Sequence, residues 1–147
     1  VERSGDFVAR VAQRLPVAVI CAMLGLDDSH HDLVTRQGNV LVGSGDPEYN
    51  GIDRGYLLRH GAPGVRHVVP VSARLARAGE QLHRLVRRTG RDRLREPRDD
   101  LISTLVHADV DGERLTPREV ATLFILLVLA GSETTRATIT HALLLLT

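Results

Sequence analysis

From Asp6 to Leu26, apolar residues recur at Phe7, Val8, Val11, Leu15, Val19, Ile20, Met23 and Leu24. This is close to the three- and four-residue spacing of a helix with one buried face. Pro16 interrupts the run and is expected to start a second helix, because proline is tolerated in a first turn and breaks an interior. Gly25 is expected to close that helix, and the Asp27 to Asp32 stretch to cap another running through Val42. Gly43 to Pro70 holds six of the 13 glycines and three of the six prolines, which predicts a loop with one short helix around Tyr56 to Arg59. Helical period returns over Ser72 to Arg88, with Leu75, Gly79, Leu82, Leu85 and Val86 on one face and arginines on the other.

An arginine-rich linker to Arg98 is followed by "DDLISTLVHA", a short predicted helix, and by "DVDGERLT", a tight Asp-Gly turn between two short extended pieces. Thr116, Pro117 and Glu119 then form a capping box. The helix they start can run to Thr147, roughly 45 Å at ~1.5 Å per residue. With no repeat and no helix-alternating strands, the pattern predicts an all-α fold, a helical bundle around one long central helix.

Midway along that helix the apolar run gives way to "AGSETT", Ala130 to Thr135. A helix-interior glycine costs ~1 kcal/mol relative to alanine, and a buried unpaired carboxylate costs considerably more. Leu126, Ala130, Glu133, Thr134 and Ala137 fall on one broad face by helical steps. Small residues there would let a flat ligand lie against the backbone, with Glu133 and Thr134 offering an acid and a hydroxyl beside it. The polar insertion is also expected to bend or widen the helix at Ala130 to Thr134. A plainer reading competes on spacing alone: Ala130, Gly131 and Ser132 as a helix-packing notch, Glu133 paired with Arg136, and the threonines capping or kinking the helix.

Composition narrows this little. The 147 residues are 43% hydrophobic and 25% charged, enough for one globular core. A lone cysteine, Cys21, excludes an internal disulfide and fits a reducing cytoplasm. No signal peptide is visible at the N-terminus, and the apolar stretch Val120 to Ala130 is shorter than the ~20 residues of a membrane span. The opening at Val1 and the stop inside "HALLLLT" are read as cuts in a longer chain. All basic residues are arginine and the net charge is +1, so there is no general pull toward polyanions.

"LLVLAGSETTRATITHALLLL" resembles the long central helix of cytochromes P-450, whose signature is a small residue, glycine, any residue, an acid and threonine. Ala130, Gly131, Glu133 and Thr134 match it position by position. "LPVAVICAMLGL", "LVGSGDPEY" and "DDLISTLVHADVDGERLTPREV" are similar to bacterial members in the same order. The resemblance implies that residues 1–147 are a partial cytochrome P-450 domain of a haem-dependent monooxygenase. It implies haem against Ala130, Gly131, Thr134 and Thr135, and substrate against Leu126 and Leu129. Glu133 would be the proton-relaying acid, and Thr134 the hydroxyl near bound oxygen. A sterol, fatty or isoprenoid chain is the implied substrate, and a ferredoxin-type or reductase partner the implied electron donor. Gly51 to Arg74 departs from the family pattern. The family's Glu-x-x-Arg pair and haem-ligand cysteine belong beyond the central helix, and Cys21, in an apolar helix, is expected to be an inert core thiol.

Other features read plainly. His30 and His31 among acids fit capping better than metal binding. His60 and His67 are expected in a solvated loop, His141 in the core or between helices, and "GSG" at 43–45 in a turn. The nine arginines from Arg74 to Arg98 raise a rival, a nucleic-acid or anionic-surface binding module, but nearby acids and the lack of aromatics favour a solvated face. A small helical interaction protein, with AGSETT as its packing notch, is the third possibility.

Overall fold

The computed structural model describes residues 11–44, 46 and 56–146, with the side chains of 56–69 and 110 left aside. α1 spans Arg14–Met23 and holds buried Pro16 in its first turn, where no helical N–H is required; residues 6–10 of the expected first segment lie outside the described range. Gly25 ends α1 with φ +74°. Its N–H reaches the Ala22 carbonyl and that of Leu26 the Cys21 carbonyl, the paired bonds of a Schellman motif. The Asp27 carboxylate then accepts from the Ser29 N–H at 3.0 Å, and one 3-10 turn leads into α2, His31–Gly43.

α3 is a single helix of 40 residues, Tyr56–Arg95, which corrects the loop expected as far as Pro70 and places His60 and His67 on a helix. Glycine and proline each subtract a limited amount of helix propensity, and helix growth is cooperative. The arginine-, alanine- and leucine-rich run beyond residue 70 propagates through them, and Pro70 itself is exposed. The same run carries the helix to Arg95, so most of the expected linker is helical too. α4 is Leu101–His107. The hairpin β1 (Asp109–Val110) and β2 (Glu113–Arg114) pairs Asp109 with Arg114 and Val110 with Glu113 across Asp111 and Gly112, whose φ values of 56° and 85° suit a type I′ turn.

α5, Pro117–Leu146, starts from the expected capping box: Thr116 N–H donates to Glu119 Oε2 at 2.8 Å and Glu119 N–H to Thr116 Oγ1 at 3.3 Å. Its Val120, Ala121, Phe124, Val128 and Ser132 are buried against the other helices. They join Val17, Cys21, Leu24, Val34, Leu82, Val86 and Ile102 in one core. The whole helix is long and apolar enough to cross a bilayer by length and composition, which the stretch Val120 to Ala130 alone is not; its buried stripe is what a core helix presents. The expected widening at Ala130 to Thr134 does not occur, and the span is α-helical throughout. Ser132 Oγ and Thr134 Oγ1 donate to the Val128 and Ala130 carbonyls at 2.5 and 2.6 Å, sharing acceptors with the ladder without opening it.

One buried ion pair ties three segments. Arg93 Nε donates to Asp100 Oδ2 at 2.5 Å and Arg93 Nη2 to the Gly25 carbonyl at 2.9 Å, with both charged side chains nearly sealed from water. Asp100 also caps α4, accepting from the Ser103 N–H at 2.7 Å. Burial pushes the Asp100 carboxyl upward, but the bonds from Ser103 and Arg93 outweigh it and hold it below the usual carboxylate range.

Asp100→Ala should therefore lose about 3–5 kcal/mol, read from urea unfolding followed by circular dichroism, because it leaves Arg93 buried and unpaired. A group whose folded pKa is depressed contributes stability above its unfolded value of ~3.9 and loses it as pH falls through the folded value. The difference between wild type and Asp100→Ala should thus shrink below about pH 4. Gly25→Ala should also destabilise, since a methyl at that positive φ would overlap the Asp100 carboxylate of the same network.

Candidate functional site

α5 has two unlike sides. Opposite its buried stripe stand Leu126, Ala130, Thr134, Ala137 and His141, all exposed and spaced three or four residues apart. Leu126 is 60% exposed. Ala130 leaves the backbone bare at the centre of this strip. Thr134 spends its hydroxyl hydrogen on the Ala130 carbonyl and keeps its oxygen lone pairs for another donor. Exposed His141 corrects the expectation that it sits in the core or between helices.

The remaining candidates lie elsewhere around the helix. Gly131 faces α1, where a β-carbon would come within 3.2 Å of Ile20 Cδ1. Leu129 is half-buried and leans on α2, 3.8 Å from where Gly38 would carry a β-carbon. Thr135 is exposed, off the strip. Glu133 stands at the edge of the open strip, half-buried, ion-paired with Arg136 in a crevice shared with Gln13, Thr35 and Asn39. The structure thus brings Leu126, Ala130 and Thr134 together and sets Gly131, Leu129 and Glu133 around them. Sequence spacing foresaw both the Glu133 to Arg136 pair and Gly131 in a helix-packing notch as the competing reading; it did not identify α1 as the partner helix.

Cys21 lies in the core, fully buried, and desolvation pushes its thiol up to about 11. His30 Nδ1 lies 2.9 Å from Asp27 Oδ1 and His31 Nε2 3.6 Å from Asp28 Oδ1, two separate pairings at the start of α2. Arg84 and Arg87 share Glu80, and Arg93 belongs to the core pair.

No family model matches the chain. Among curated proteins it is 39% identical over 145 residues to a methyl-branched lipid omega-hydroxylase of Mycobacterium tuberculosis, covering 99% of this chain and 29% of that protein. It is 30% identical over 141 residues to a steroid C26-monooxygenase of Mycolicibacterium smegmatis, covering 96% of this chain and 28% of the relative. Among solved structures, a Mycobacterium marinum cytochrome P-450 in complex with pseudoionone superposes with a TM-score of 0.72 at 34% identity, over 93% of this chain and 29% of the other. A variant of the mixed-function P-450 MycG with mycinamicin V superposes at 0.73 with 28% identity, over 99% and 31%.

The chain belongs to the cytochrome P-450 family. It spans about 29% of the length of the curated relatives it matches first, and its helices are a partial P-450 fold. The cofactor of that family is haem, and the open strip of α5 fits it: Ala130 removes bulk where a flat macrocycle would lie, while Leu126 and Ala137 give it apolar contact. Cys21 does not fit the iron ligand, being packed on the other side of α5 with a thiol that resists ionisation.

Because Cys21 is the only cysteine among the 147 residues, this stretch expressed by itself should give no thiolate-type Soret band when reduced and treated with carbon monoxide. Cys21 should also stay unmodified by maleimide at pH 8 in the folded chain and react once urea unfolds it, since only about one thiol in a thousand is ionised with a pKa three units above the pH.

Proposed function

We propose that the protein carrying this chain is a haem-dependent monooxygenase that inserts one oxygen atom from dioxygen into an aliphatic substrate, with α5 as its oxygen-side wall. The observation that carries this reading is the exposed Leu126, Ala130 and Thr134 strip on a helix whose other side is core. Haem, when bound, supplies the oxygen and redox chemistry, and electrons come from a ferredoxin-type or reductase partner. The substrate class is a lipid, a branched fatty or sterol chain. The 39%-identical relative is named for methyl-branched lipids and the other for steroids, which supports that choice. Leu126 and Leu129 supply apolar contact for such a chain, and Ala130 and Thr134 form the helix surface against the cofactor, while Gly131 is turned to α1 and Thr135 lies off the strip. We place the protein in the cytoplasm.

The residues divide the remaining work. Thr134 Oγ1, its hydrogen committed to the Ala130 carbonyl, accepts a hydrogen bond from a water and so holds that water beside the reacting centre. Glu133 is the exchangeable acid. Its carboxylate rests on Arg136, and rotation about its side-chain bonds lets it take a proton from the solvent side and pass it to the water that Thr134 holds.

In the full-length enzyme, Thr134→Ala should continue to consume reductant and dioxygen while product per reductant falls and hydrogen peroxide rises. Glu133→Gln should slow turnover itself, by ~10²- to 10⁴-fold, because an amide keeps the hydrogen bonds but cannot exchange a proton. Full coupling at an unchanged rate in Thr134→Ala would make the hydroxyl purely structural and remove this reading of AGSETT.

A further inference from the structure

A second concavity lies away from the open strip of α5. Where α3, α4, β2 and the start of α5 meet, a cleft of about 240 Å³ has an apolar floor of Val86 and Val120, both buried, and apolar walls of Leu94, Val106 and Leu115. Gly90 allows the close approach of α4, since a β-carbon there would already sit 3.2 Å from Val106 Cγ1. Three arginines, Arg87, Arg91 and Arg114, are among the residues lining the same cleft. Arg87 is held by Glu80 at 3.2 Å, whereas among the described residues Arg91 and Arg114 have no carboxylate partner. Val120 is ten residues from Ala130, so the cleft and the centre of the strip are separated by ~15 Å along α5.

An apolar slot edged by unpaired cations selects a particular ligand shape. A neutral hydrocarbon would leave the guanidinium groups unused, and a polyanion would leave the slot empty. We propose that this cleft binds a free anionic amphiphile, a medium-chain fatty acid or similar alkyl anion, with its head between Arg91 and Arg114 and its tail over Val86 and Val120. The occupant is separate from the oxidised substrate, and the volume, at the small end for ligand sites, limits the tail to a single chain. Leu94, 50% exposed at the lip, completes the apolar track.

The test is isothermal titration of hexanoate and octanoate into the full-length haem protein, with the Soret band followed in parallel to register binding beside the haem. A calorimetric site that leaves the Soret band unchanged is expected. Its affinity should rise about fourfold per added methylene, the equivalent of ~0.8 kcal/mol each. It should weaken at least tenfold for octanol and for Arg91→Gln/Arg114→Gln, and disappear in Leu94→Asp. All three positions are exposed, so the fold should survive, and unchanged circular dichroism and an unchanged Soret titration would verify that. Octanoate binding only with a Soret shift, or an affinity untouched by the arginine variants, would overturn the proposal. So would binding to phosphatidylglycerol vesicles with none to free octanoate.

Discussion

The packing of this chain depends on a buried charge being fully satisfied. Arg93, near the end of α3, is 5% exposed, and a guanidinium cannot shed its charge to escape burial. It must find acceptors in the core, and the two it finds are the Asp100 carboxylate, seven residues on, and the Gly25 carbonyl at the end of α1. That requirement fixes where α1 ends, how the chain turns between α3 and α4, and why Gly25 lacks a side chain. The Asp100 carboxylate would occupy the place of any β-carbon there. Such a pair contributes less to net stability than its Coulomb attraction implies, because two ions were desolvated to make it. Its stronger effect is on geometry, since any other arrangement strands a charge.

With α1, α3 and α4 tied at that point, α5 has one side left to bury and one left open. Val120, Phe124 and Val128 enter the core, and the glycine of AGSETT continues the same contact against Ile20. The hydroxyls of Ser132, Thr134, Thr138 and Thr140 all donate to carbonyls four residues back. These four hydroxyls are satisfied on their own backbone, which lets polar groups sit at a packed boundary while the helix stays α-helical.

How much of this was legible in sequence depended on how local each signal was. The Thr116 and Glu119 box, the Asp111 and Gly112 turn and the Gly25 stop were readable because their physics acts within four residues. The first half of α3 was not. Gly61, Pro63, Gly64 and Pro70 read as punctuation, yet cooperative growth from the stronger segment behind them carries the helix through. The Arg93 to Asp100 pair left no trace in the pattern, since arginine and aspartate in "RDRLREPRDD" look solvated until burial selects one of each. At the site, spacing identified the strip of Leu126, Ala130 and Thr134. It could not tell which side of the helix Gly131 served, because a missing side chain suits a ligand and a neighbouring helix equally.

That ambiguity has a physical resolution in the angular order of the motif. Successive residues point ~100° apart, so Ala130, Gly131 and Ser132 sweep from the open strip through the α1 contact into the core, and Glu133 and Thr134 return to the edge and middle of the strip. The motif is therefore compact, turning from an open side to a packed side in one and a half turns. Ala130 stands on the open strip, while small size at Gly131 and Ser132 lets α1 and α2 approach. The acid follows next, at the one register where it can be half-buried against Arg136 and still border the strip. Shifting it by one residue would place the carboxylate either at position 132, in the core and away from solvent, or at position 134, on the open strip but two residues from Arg136 and out of its reach.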